Sequence, residues 1–155
     1  MVNSANGSPA PPAEAVRNAW ALMQRFAEAH NRHGELADAL GFRLGGGRGK
    51  VLFQLRGGPM TLSEIAQANG VDAPYATLIV DKLEAHGLVE RRQHPDDRRR
   101  KLVALTAAGQ RAIGLADDIL LRPPTAFDEL GDDEITRLTG LLERLLDADE
   151  DSRHR

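Results

Sequence analysis

A mainly α-helical (α+β) fold is predicted for this 155-residue chain, with short helices and a β-hairpin set between longer amphipathic helices at either end. Three observations predict it. Apolar residues recur at three- and four-residue spacing in several separate stretches, the signature of helices with one buried face. Two of those stretches meet at a tight turn, Asn69-Gly70-Val71. Two β-prone runs, 88–93 and 101–105, then flank a polar, proline-containing tip, His94-Pro95-Asp96-Asp97-Arg98-Arg99.

Residues 1–12 are uncharged apart from the terminus and rich in Asn, Ser, Gly and Pro, so a disordered tail is expected there. From Ala13, the positions Val16, Ala19, Trp20, Met23, Phe26, Ala27 and His30 form one stripe on a helix reaching about residue 33. A second helical piece, 35–42, leads into Gly45-Gly46-Gly47, which marks a joint and closes an N-terminal helical segment, 13–48.

Residues 50–56 read as a short helix with Val51, Leu52 and Leu55 inward, stopped by Gly57-Gly58-Pro59. Thr61 followed by Glu64 is a capping box, so a helix starts there and runs to Gly70. Asp72 caps the next helix, 73–86, with Pro74 tolerated in the first turn and Gly87 as the stop. On it Ala76, Ile79, Val80 and Leu83 share one face and leave Tyr75, Leu78 and Lys82 on the opposite one. After the hairpin Thr106 caps a helix, 107–121, ended by Pro123-Pro124. A last helix, 132–147, carries Ile135, Leu138, Leu141, Leu142, Leu145 and Leu146 in a wide stripe. Helices in 106–148 form a C-terminal helical segment, and 149–155 a tail.

Composition narrows the function. Without cysteine the chain has no disulfide, thiolate zinc site, iron–sulfur cluster or redox-sensing thiol. No stretch approaches the roughly 18 apolar residues of a membrane helix, and the first residues lack a secretory pattern, so a cytoplasmic protein without membrane contact is expected. The net charge of −3 is a sum of opposites. Residues 91–101 carry +4, from Arg91, Arg92, Arg98, Arg99, Arg100 and Lys101 against Asp96 and Asp97. Residues 128–151 carry −8.

His30 and His33 have a helical spacing that suits a metal, but no acidic or thiol set completes a shell, so no metal is expected. Gly45-Gly46-Gly47-Arg48-Gly49-Lys50 looks like a phosphate loop, yet no strand precedes it and Val51 stands where Ser or Thr belongs. No nucleophile with its base is present, so neither an enzyme nor a cofactor is expected.

The element order of 49–105 is that of a winged helix-turn-helix, in which the third helix enters the major groove and the hairpin reaches the neighbouring backbone or minor groove. Tyr75 and Thr77 then face phosphate or base edges, Lys82 a phosphate and Leu78 a thymine methyl. Arg98, Arg99 and Arg100 suit a narrow minor groove. An isolated basic run would be a solvated turn; its place just after a helix-turn-helix favours DNA.

Leu62-Ser63-Glu64-Ile65-Ala66, Val71 through Glu84, Gly87-Leu88-Val89-Glu90-Arg91, Asp96-Asp97-Arg98-Arg99 and Leu105-Thr106-Ala107-Ala108-Gly109 resemble MarR-type transcriptional regulators. The likeness is close over about 50–109. It implies a homodimer on a pseudo-palindromic double-stranded DNA operator, held together by a helical region from both chain ends. It also implies that Asp97 positions the wing, that Arg99 is its minor-groove arginine, and that Ser63 and Pro74 join the DNA-contacting set. Where the family often has a small hydroxylated residue and then an arginine on the recognition helix, this chain has Tyr75 and Leu78, so the operator sequence does not carry over. Family members often bind a small aromatic or phenolic effector. Trp20, Phe26, Phe42 and Phe53 are candidates to line such a site, with Arg43 as carboxylate partner, beside the alternative that they are plain core aromatics.

Two functions result: a sequence-specific repressor released by an effector, and a winged-helix protein-interaction or architectural module that binds DNA only nonspecifically.

Overall fold

Residues 12–97 and 99–153 are described by a computed structural model. The expected N-terminal tail, Pro12 apart, the last two residues of the expected C-terminal tail and Arg98 of the hairpin tip lie outside the described residues. Two compact units divide the chain, one ending at Arg122 and the other beginning at Pro123.

The first unit opens with helix α1 (Ala13–Ala29), whose apolar stripe is exposed throughout and which stops at His30, short of residue 33. Helix α2 (His33–Leu40) starts two residues before the expected position and ends at Gly41, in the left-handed conformation (φ 78°). Helix α3 (Arg48–Gln54) continues as a 3-10 turn over Leu55–Gly57. Helix α4 (Leu62–Asn69) has both halves of its capping box: the Glu64 amide donates to Thr61 Oγ1 at 3.3 Å and the Thr61 amide to the Glu64 carboxylate at 2.7 Å. Helix α5 (Ala73–Ala85) is capped by Asp72, which accepts from the Tyr75 amide at 2.8 Å. Gly87, at φ 69°, lets its amide and that of Leu88 close on the carbonyls of Glu84 and Leu83.

The hairpin strands are β2 (Val89–Gln93) and β3 (Lys101–Leu105), paired antiparallel from Val89–Leu105 to Gln93–Lys101. A two-residue strand, β1 (Met60–Thr61), pairs on the other side of β3 and makes it the central strand. Sequence patterning missed it because two residues have no period, and its pairing is long-range. Helix α6 (Ala107–Leu120) is capped by Thr106, which accepts from the Gly109 amide at 3.0 Å and donates to the Gly87 carbonyl at 2.6 Å.

Val51, Leu52, Ile65, Ala76, Val80, Leu83, Val89 and Val103 are the buried centre, so α3, α4, α5 and the sheet share one core. Leu36, Ala116 and Ile119 form a smaller cluster between α2 and α6. At roughly 25 cal/mol per Å² of apolar surface, each buried Val, Leu or Ile side chain among them stabilises by about 1.5–3 kcal/mol.

In the second unit a 3-10 turn over Thr125–Glu129 precedes α7 (Asp132–Arg153). The helix continues past residue 147, because the polar residues after it include neither Gly nor Pro.

Candidate nucleic-acid interface

The face of α5 opposite the core is assembled as its spacing predicts. Tyr75 and Leu78 are 42% and 48% exposed, large values for such side chains, and Lys82 follows one turn later. Pro74 is exposed in the first turn, while Thr77 is half-buried and turns its hydroxyl back to the Ala73 carbonyl at 2.9 Å. Ser63 lies exposed in the first turn of α4. The Tyr75 phenol is not wholly free: it donates to the Gly46 carbonyl at 3.4 Å.

At the hairpin tip the Asp97 carboxylate accepts from the Arg99 amide at 2.9 Å, and the Asp97 carbonyl from the Arg100 amide at 3.0 Å. The His94 amide meets the Arg100 carbonyl at 3.1 Å and closes the loop. This short-range ring fixes the backbone from which Arg99 and Arg100 project, both exposed and neither in a salt bridge among the described residues.

The cationic run therefore divides. Arg91 turns inward to Asp81 and Glu84 of α5 and pins β2 to that helix. Burial alone would lower its pKa, but the two carboxylates outweigh it and hold the guanidinium above its ordinary value. Arg92 pairs with Glu90. Among the described residues Arg99, Arg100 and Lys101 remain as outward charge, while Arg91 and Arg92 do not, because spacing along a strand does not show which side meets an acidic helix face.

Gly109 explains why Gly stands three residues after the Thr106 cap. A Cβ there would lie 2.0 Å from the Leu88 carbonyl oxygen, so α6 could not approach the start of β2.

The aromatic candidates for an effector site do not form one group. Arg43 and Phe53 line a cavity of about 520 Å³ together with His33, Lys50, Leu36 and Leu120. Phe42 stacks on His86 with ring centroids 3.8 Å apart. Trp20 and Phe26 lie exposed on α1, outside the lining of that cavity. His33 and Lys50 were missed in the sequence because they lie on different helices, and only folding brings them together. Among the described residues no three His, Asp or Glu side chains converge to hold a metal ion, and no helix is long and apolar enough to cross a membrane.

Residues 49–101 match the model of the MarR family. The match spans the winged helix-turn-helix portion, less than half of the chain. A protein of Thauera aromatica, named as a candidate transcriptional regulatory protein for the hcr operon, is 33% identical over 94 residues, 60% of this chain and 57% of that protein. Two further curated relatives are spanned over 36% and 44% of their length, so the chain covers less than half of each of these two. Among solved structures, a mutant MarR from E. coli is 26% identical and aligns over 90% of this chain and 99% of that one, with a TM-score of 0.60. RV1404 from Mycobacterium tuberculosis shares the fold at 21% identity, with a TM-score of 0.79 over 92% of this chain and 97% of that one. The helical layout and three-stranded sheet are those of a MarR-like winged helix.

Proposed function

We propose that this chain is a sequence-specific double-stranded DNA-binding transcriptional regulator of the MarR family. One observation carries the reading: an exposed recognition face, Tyr75, Leu78 and Lys82, stands on the same winged helix as a tip whose backbone Asp97 fixes and whose Arg99 is unpaired among the described residues. Phosphate contact by the tip supplies affinity and positions α5, whose side chains meet base edges. The relative named as a regulator supports the same reading.

The regulator acts as a homodimer on a pseudo-palindromic operator, as a cytoplasmic repressor. Support for the dimer comes from each chain end separately: α1 exposes Trp20, Met23 and Phe26, and α7 exposes Leu141, Leu142, Leu145 and Leu146. Apolar side chains in such number call for a cover, and a two-fold copy supplies one. The cavity with Arg43, Lys50 and Phe53 has the chemistry for a small aromatic acid that releases the DNA.

A gel-shift titration of the DNA upstream of the chain's own gene tests the reading. Binding that exceeds binding to competitor DNA at physiological salt supports it. The exposure of Tyr75 and Leu78 favours a second reading, a protein-interaction module with only nonspecific DNA affinity, and equal binding to both DNAs would select it.

A further inference from the structure

The glycine loop before α3 brings a charged side chain to the recognition face from a part of the sequence remote from it. Arg48, Tyr75, Leu78, Ile79 and Lys82, with Gly46, line one depression of about 130 Å³. The loop is seated on α5 in two places. The Gly46 carbonyl accepts from the Tyr75 phenol at 3.4 Å, and a Cβ on Gly47 would lie only 3.2 Å from the Ile79 Cδ1. Gly46 and Gly47 take φ values of 64° and 79°, a conformation that admits glycine without strain.

Arg48 is held there by its own loop, since its Nε donates to the Gly45 carbonyl at 2.5 Å. A guanidinium has five N–H donors, so the terminal nitrogens stay available. Among the described residues neither Arg48 nor Lys82 has a carboxylate partner, and no acidic residue lines the depression. Its lining combines largely apolar side chains, Tyr75, Leu78 and Ile79, with two cations, Arg48 and Lys82. Such a surface matches a DNA strand, with charge on the backbone and apolar area on sugars and methyl groups.

We propose that Arg48 is a further DNA-backbone contact, which with Lys82 brackets the recognition face between two phosphates. The inference rests on the DNA-binding reading above. The contact is electrostatic, so it adds affinity without sequence preference and releases counterions.

The test measures affinity against salt concentration for the wild type, Arg48→Gln and Arg48→Lys, on a mixed-sequence duplex and on the upstream DNA. Unfolding midpoints are recorded for each. Arg48→Gln should weaken both duplexes by a similar factor, with the slope of log K against log salt reduced by about one. Arg48→Lys should restore most of that slope, because a phosphate accepts a point charge. Unchanged affinity and slope in Arg48→Gln, while Arg99→Ala still weakens binding, would overturn this inference and leave the DNA-binding reading standing. A lysine variant that behaves like the glutamine one would overturn it too, since the arginine would then serve only to brace the loop. A wild type that binds neither duplex overturns the DNA-binding reading and this inference with it.

Discussion

The carboxylate of Asp97 holds the backbone amide of Arg99 at 2.9 Å, two residues along the same loop. A side chain that bonds its own turn replaces a freely moving tip with one conformation, so in the proposed function the arginine would meet DNA without first being ordered. Asp97→Ala should weaken DNA binding by about 1 kcal/mol, roughly fivefold, with little change in the unfolding midpoint. Asp97→Asn keeps the acceptor oxygen and should recover much of the loss, which fluorescence-anisotropy titrations of the three proteins would show.

Gly109 and Gly114 lie in the same helix and should respond oppositely to alanine. At Gly109 the added Cβ would sit 2.0 Å from the Leu88 carbonyl oxygen, and the cost should reach about 3 kcal/mol or more because backbone must move. At Gly114 the Cβ meets nothing within 4 Å, and replacing glycine in an exposed helix position should stabilise by about 0.5–1 kcal/mol. Urea unfolding of both variants checks the pair.

Arg91 and Lys101 are both cations of the hairpin, but Arg91 faces Asp81 and Glu84 while Lys101 faces outward. Arg91→Ala should lower stability by about 1 kcal/mol, discounted for the exposure of its partners, and leave the salt dependence of DNA binding unchanged. Lys101→Ala should do the reverse, with the slope reduced by about one and the unfolding midpoint kept.

Much of the fold is legible because its boundaries are set locally. Thr61 with Glu64, Asp72, Gly70, Gly87 and Thr106 each satisfy or end a helix through atoms a few residues away, and each does so in the structure. The face of α5 follows from the same local period. What could not be read is long-range: the pairing of Met60 with Val103, the turn of Arg91 toward Asp81, and the arrival of Arg48 beside Tyr75. Each depends on how separate elements pack, and no residue pattern within either partner records it. The aromatic residues show the same limit, since composition groups Trp20 with Phe53 and only folding separates them.

The Glu64 carboxyl is held below its ordinary value of 4.5, first by the hydrogen bond from the Thr61 amide and then by that from the Thr61 hydroxyl. Above pH 4.5 the carboxylate is charged in both states and its contribution to stability is fully present. As the pH falls, the unfolded chain takes up the proton first, and the contribution is lost by the time the folded group protonates. Glu64→Gln keeps an acceptor for the Thr61 amide and does not titrate. The wild type's stability relative to that variant should therefore decline as the pH is lowered through this range, as urea unfolding at a series of pH values would record.

The central claim, that an unpaired wing arginine positioned by Asp97 serves sequence-specific DNA binding, meets its most direct test in Arg99→Ala. The measurement is affinity for the upstream DNA and for competitor DNA, each across a range of salt. The wild type should prefer the upstream DNA at physiological salt, and Arg99→Ala should lose about tenfold in affinity with the salt slope reduced by about one. Binding of the wild type at nonspecific strength, unaffected by Arg99→Ala, would contradict it.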